Sequence, residues 1–379
     1  MLTMKKGLAA VAFLGLVWAA DPVQLTPEND LATAITEAEL GAVLILAPGI
    51  YNLSESLIID SSLALSGAGS GKTEIVSGAS EYLLKVVGSD TDVELVGLSL
   101  SHTGQEWADV LVLSEGKSTI SDVKFAGALA NTAEPTADPR APNRGGRGLV
   151  IAGTATSRLN GIVASDNELF GISVEDQAQV TLSESALRRN GSAGMIFIGD
   201  AGGEVSNNVV QDHPSHGMII GGNSAPDLNG NTFRGNGRLG ILYDENSGGT
   251  ARNNLSEGNA IGIAVSDKSA PLLEGNTLRD NGLSGIFYND EAAGVARGNT
   301  SELNRSRGIS VAGNANPTIE DNFLSGNLDL AMIFSGNSTA KVSGNRCEGN
   351  GNLDFFVVEA AEPELLKNLC EVLVAPPDQ

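Results

Sequence analysis

From residue 148 onward, apolar and polar positions recur with one short period. Counted from Gly148, Gly171, Gly194, Gly217, Gly240, Gly262, Gly285, Gly308, Ala331 and Asp354, every step is 23 residues except one of 22. The second position of each unit runs Leu149, Ile172, Met195, Met218, Ile241, Ile263, Ile286, Ile309, Met332, Phe355. The fourth runs Ile151, Val174, Phe197, Ile220, Tyr243, Val265, Tyr288, Val311, Phe334, Val357. Residues two apart on a strand share a face, so both columns point the same way. The twelfth position is apolar throughout, and the eighth is always Ala or Ser. Helical spacing of three and four is absent, and Gly and Asn are too frequent for helices. A unit of three very short strands cannot bury its own face. Stacking like positions on like positions makes one continuous core. The pattern predicts an all-β parallel solenoid.

Asparagine marks the bends. Asn208, Asn231, Asn254, Asn276, Asn299, Asn322, Asn345 and Asn368 share the fifteenth position. Asn167, Asn190, Asn236, Asn259, Asn281, Asn304, Asn327 and Asn350 share the twentieth, where His213 interrupts the column. Asn tolerates left-handed backbone, and its amide can serve turn groups while laddering with its neighbours. These asparagines are read as structural.

On these columns the chain resembles the right-handed parallel β-helix superfamily, the pectin-lyase-like fold. The likeness extends to generic β-helix repeat proteins of the carbohydrate-binding and sugar-hydrolysis type. It implies a single-stranded right-handed parallel β-helix of about 13 coils with an N-terminal capping helix. It leaves activity open, because lyases, hydrolases, esterases, epimerases and non-enzymes share this fold.

The domain boundaries expected are a signal peptide over 1–20 and one β-helix domain over 21–379. Lys5-Lys6, the apolar run Gly7–Trp18, and then Ala19 and Ala20 have the order of an export signal. Within the domain, residues 27–40 are expected to form the capping helix, with Thr26 as N-cap and Pro27 in the first turn. Residues 43–130 form irregular coils, 131–147 a protruding loop, and 148–379 ten regular coils. Gly67–Thr73 has the look of a phosphate loop, but no helix pattern follows it, so it is read as a glycine turn. Cys347 and Cys370 share the seventeenth position one unit apart, close enough on adjacent rungs for a disulfide that export would permit.

Charge narrows the partners. The net charge is −23, and loss of Lys5 and Lys6 would make it −25. Such a surface argues against nucleic acid, and no segment after residue 20 is apolar enough for membrane insertion. The expected location is periplasmic or extracellular, the expected partner a polysaccharide or an envelope protein, and the oligomeric state stays open.

Four sets of residues could carry function. Ser215-His216-Gly217 resembles the histidine motif of polygalacturonase-type hydrolases, but the aspartates of that family would fall at Ala193/Gly194 and Phe170/Gly171. The acid–base pair of glycoside hydrolysis is therefore missing. A lyase instead needs a base and cations, for which Arg189, Asp212, His213, His216 and Arg234 are candidates on neighbouring turns. Asp244, Asp267 and Asp290, with Glu245 and Glu291, would suit Ca²⁺, and no other cofactor is expected. The third position should face solvent, yet Ile196, Ile219, Leu242, Phe287, Ile333 and Phe356 make it an apolar stripe fit for a partner. The preferred expectation is a binding or scaffold protein acting through that first-strand face. A polysaccharide lyase around Asp212, His213 and His216 is the alternative.

Overall fold

The computed structural model describes residues 21–131, 145–351 and 353–374. The first 20 residues, and most of the loop expected at 131–147, lie outside them.

Nine of the ten regular coils carry three short strands, and in the last the third is reduced to a bridge between Arg346 and Leu369. First strands stack into a 14-stranded parallel sheet, one strand per turn, so the solenoid has 14 turns rather than about 13. Three first-sheet strands precede the regular coils: Leu57–Ile59, Glu81–Val86 and Ala108–Leu113. Ten regular ones follow, from Arg147–Ile151 to Leu353–Val357, and Val372–Val374 begins another turn. Second and third strands pair in parallel with their counterparts one coil on. In two N-terminal coils these two strands run on as one, over Asp92–His102 and Lys117–Ala126.

Register follows the repeat: Ile241 pairs with Ile263, and Ile263 with Ile286. The second- and fourth-position residues are buried along the whole column in one core cluster. Full burial of each such side chain is worth about 1.5–3 kcal/mol, so a coil gains stability chiefly from the coils above and below it.

Two buried ladders hold the bends. In one, the Asn231 backbone N–H donates to Asn254 Oδ1 at 2.9 Å, and Asn231 Nδ2 donates both to that oxygen and to the Val205 carbonyl. The scheme repeats from Asn208 to Asn368. The residue before each ladder asparagine is left-handed, as at Gly230, Asn253 and Gly275 (φ 67°, 53° and 62°). The unit anchors face the second ladder. A Cβ on Gly171 would lie 2.7 Å from Asn190 Nδ2 and 2.6 Å from the Gly194 carbonyl, which explains the preference for glycine there.

The N-terminal helix is shorter than expected. It spans Leu31–Thr36, with Asp30 rather than Thr26 as its N-cap. Asn29 Oδ1 accepts the Thr26 N–H at 2.7 Å, which closes a separate turn before the helix starts. Leu31 and Ile35 are buried against the core. Gly67–Thr73 is a turn between strands, closed by the Ala68 N–H donating to Thr73 Oγ1 at 3.0 Å. At the other end Cys347 and Cys370 are joined in a disulfide with Cα atoms 5.0 Å apart.

Two core residues break the pattern. The Tyr243 and Tyr288 hydroxyls are buried among apolar side chains with no hydrogen-bond partner, and burial raises both phenols far above their ordinary pKa. An unmet buried hydroxyl costs about 1–3 kcal/mol. Tyr243→Phe is therefore expected to raise stability by about 1 kcal/mol in urea unfolding, and a loss of stability would show that the hydroxyl has a partner.

Candidate functional site

The five residues expected to form a catalytic cluster do not converge. His213 turns inward and takes the place of a ladder asparagine. Its Nδ1 accepts the Asn190 N–H at 3.1 Å, and Nε2 donates to the Leu187 carbonyl at 3.2 Å, while Asn236 Oδ1 receives the His213 N–H. These bonds require the Nε2–H tautomer. Burial pushes the imidazole down to about 4. Arg189 points back one coil and holds Asp166 with two bonds of 2.9 Å. Arg234 donates to Gln211 Oε1, and Gln211 Nε2 donates to Asp212. The αL backbone at Arg189 and Asp212 makes both part of a bend, with exposed side chains that pair along the stack.

His216 stands apart from these. It begins the strand His216–Ile220, in register between Ala193 and Leu239 on the first sheet. Its Nδ1 is buried without a partner among the described residues. Burial, then the Arg238 charge, pushes it down to about 4.

The acidic set serves a corner. Glu245, Asp267 and Asp290 all sit in αL backbone at the same bend (φ 61°, 52° and 55°). The Gly222 N–H donates to Glu245, and the Asp267 N–H to Asp290 at 3.4 Å, so Glu245 and Asp290 each cap a backbone group one coil earlier. Asp176 and Glu359 do the same for Gly153 and Gly336. Asp244 lies one residue before this column; burial pushes its carboxyl up, and the neighbouring Asp267 charge adds to that. The carboxylate oxygens of Asp244, Asp267 and Asp290 do not gather within 4.8 Å of one another. Among the described residues the one group that does includes Cys347 and Cys370, whose sulfurs are in the disulfide.

The apolar stripe is less open than its sequence position implied. Ile196 is buried, and Ile219, Leu242, Phe287, Ile333 and Phe356 are half-buried. Ile196 forms a second cluster with Phe170 and Ala193, packed by Leu169, Ile198 and Ile219 and separate from the main core. Like residues one rung apart cover each other's flanks, which converts an exposed column into a ridge.

Two arrangements escaped the sequence reading. Arg147, placed in the loop, instead opens the first regular strand and is buried. It binds both Asp109 oxygens, at 2.9 and 2.6 Å, and Glu175 at 2.8 Å, with the Ser173 hydroxyl also on Glu175. Its partners lie 38 and 28 residues away, beyond any local motif. The other arrangement is an open groove on the outside of the second sheet. One outward row is Glu94, Thr119, Arg158 and Thr181, and the next is Val96, Ser121, Asn160 and Ser183. Asn160 Nδ2 donates to Ser183 Oγ at 2.9 Å. Arg158 is exposed and has no ion pair or side-chain hydrogen bond among the described residues.

These features define a parallel β-solenoid. The chain belongs to the family whose model is described as the right-handed β-helix region, which matches residues 103–233, 170–316 and 273–372. No curated protein sequence matches it. Among solved structures it is similar to the mannuronan C-5 epimerase AlgE6 A-module of Azotobacter vinelandii, with a TM-score of 0.59 and 16% identity over 92% of this chain and 94% of that one. The periplasmic alginate epimerase AlgG gives 0.59 and 14% over 92% and 83%. The Dettilon tailspike protein gives 0.59 and 14% over 88% and 68%. At such identities the likeness is one of fold. No helix among the described residues is long and apolar enough to cross a membrane.

Proposed function

We propose that this chain is an exported polysaccharide-binding β-helix that holds its glycan along the groove of the second sheet. The observation that carries this is the double row of Thr119, Arg158 and Thr181 beside Ser121, Asn160 and Ser183. Hydroxyl and amide groups repeated at rung spacing match the hydroxyls of a sugar chain, and a free guanidinium can take a sugar oxygen or carboxylate. The names of its structural neighbours, a mannuronan C-5 epimerase and an alginate epimerase among them, support a saccharide ligand. The disulfide supports an oxidising, hence exported, setting. The face differs from the first-strand exterior that the sequence favoured, where Ile196 is buried and the other five stripe residues are half-buried.

Affinity electrophoresis in gels containing alginate, pectate or neutral glucans tests this. Retardation is expected in at least one gel, with the shift cut at least fivefold in an Arg158→Ala/Thr181→Ala variant. Unretarded migration everywhere, or a shift indifferent to those substitutions, would retire the groove as a glycan site. The same incubations are expected to show no ultraviolet absorbance from unsaturated products; its appearance would favour the lyase alternative.

A further inference from the structure

The bend between the third strand of one coil and the first strand of the next is mostly polar, but three consecutive coils near the C-terminal half change its character. Leu283 is 54% exposed and Leu328 is 68% exposed, and Arg305 occupies the bend of the coil between them. Beside that bend, Arg307 sits on the first sheet in register between Ser284 and Leu330. Phe287 and Ile333, half-buried, flank Ser310 on the same strands.

The two arginines are unpaired. Neither has an ion pair among the described residues, and Arg307 Nε is buried with no hydrogen-bond acceptor. The nearby Asp329 carboxylate is engaged by the Ser306 hydroxyl at 2.7 Å. This contrasts with the second-sheet ladder, where Glu274 binds Arg252 at 3.0 Å and Arg297 at 2.6 Å. A chain with 46 acidic and 23 basic residues therefore leaves two guanidiniums free beside two exposed leucines. An unmet buried donor costs free energy until an acceptor arrives, and a carboxylate is the acceptor a guanidinium fits best.

We propose that Leu283, Arg305, Arg307 and Leu328, with Phe287 and Ile333 behind them, form a docking surface for a protein segment that presents carboxylates between aliphatic side chains. The leucines offer nothing to sugar hydroxyls, whereas aliphatic side chains would cover them and carboxylates would satisfy the arginines. The surface is separate from the second-sheet groove and does not depend on it.

Fluorescence polarisation with a labelled hexapeptide of alternating leucine and glutamate, and its leucine–lysine counterpart, tests this. The glutamate peptide is expected to bind at least tenfold more tightly, and to weaken as salt rises. Arg305→Gln/Arg307→Gln should reduce its affinity about tenfold, and Leu283→Ser/Leu328→Ser should do likewise with an unchanged circular dichroism spectrum. Arg158→Gln should leave it as it was. Equal binding of the two peptides, an effect of Arg158→Gln matching that of the double variant, or displacement of the peptide by alginate would each overturn the assignment.

Discussion

Replacing Asn254 by alanine is expected to cost about 3–5 kcal/mol of stability, the largest single effect foreseen for this chain. Three bonds are lost directly: Asn254 Oδ1 to the Asn231 N–H (2.9 Å) and to Asn231 Nδ2 (3.0 Å), and Asn254 Nδ2 to the Leu228 carbonyl (3.1 Å). The Asn254 Nδ2 bond to Asn276 Oδ1 goes with them. Alanine leaves the Asn231 N–H and the Leu228 carbonyl buried without those side-chain partners, and each such orphan costs about 1–3 kcal/mol. Water cannot stand in, because Asn231, Asn254 and Asn276 are all buried. Because each coil is stabilised mainly by its neighbours, the damage should appear as early loosening of adjoining coils rather than a uniform shift. Hydrogen exchange over 228–280 together with the urea midpoint would measure it. Asn246→Ala, at an exposed corner, should change stability by no more than about 0.5 kcal/mol. Equal costs at the two sites would mean that the ladder is not a principal source of stability.

Acidification from pH 7 to pH 4 is expected to destabilise the protein through two of its buried histidines, His213 in a bend and His216 on the first sheet. In the folded chain His213 and His216 are pushed down to about 4, against 6.5 for the free group. Between those values the unfolded chain binds more protons, so stability falls as pH falls and the loss is complete only below about pH 4. A shift of that size corresponds to about 3 kcal/mol per histidine. His213→Asn supplies a ladder side chain that does not titrate. Its stability advantage over the parent should therefore grow by about 3 kcal/mol between pH 7 and pH 4, read as the difference in urea midpoints. A constant difference across that range would mean that the imidazole is not held neutral by the ladder.

The sequence already carried the period, the inward columns, both asparagine ladders, the disulfide and the role of the glycine turn at Gly67–Thr73. All but the last depend on stacking like residues at a fixed interval, so the chain states them repeatedly and one erroneous position does no harm. His213 shows the limit. Its place in the twentieth column already put it among the ladder asparagines, but its company of Asp212 and Arg234 suggested chemistry; only the αL bend settles that its ring points inward. The same bends send Arg189 to Asp166 and Arg234 to Gln211, so side chains that are neighbours in sequence diverge in space. The helix start moved to Asp30 because a side-chain bond from Asn29 closed a competing turn.

What the sequence determined by itself was the solenoid, because a repeated one-dimensional pattern has one way to bury itself. What tertiary structure decided was everything lateral to the stack. It set which outer faces are open, how the apolar stripe shields itself, where Arg147 finds Asp109 and Glu175, and which arginines are left unpaired. Contacts between columns depend on bend geometry and on residues dozens of positions away, and a period along the chain carries no information about either.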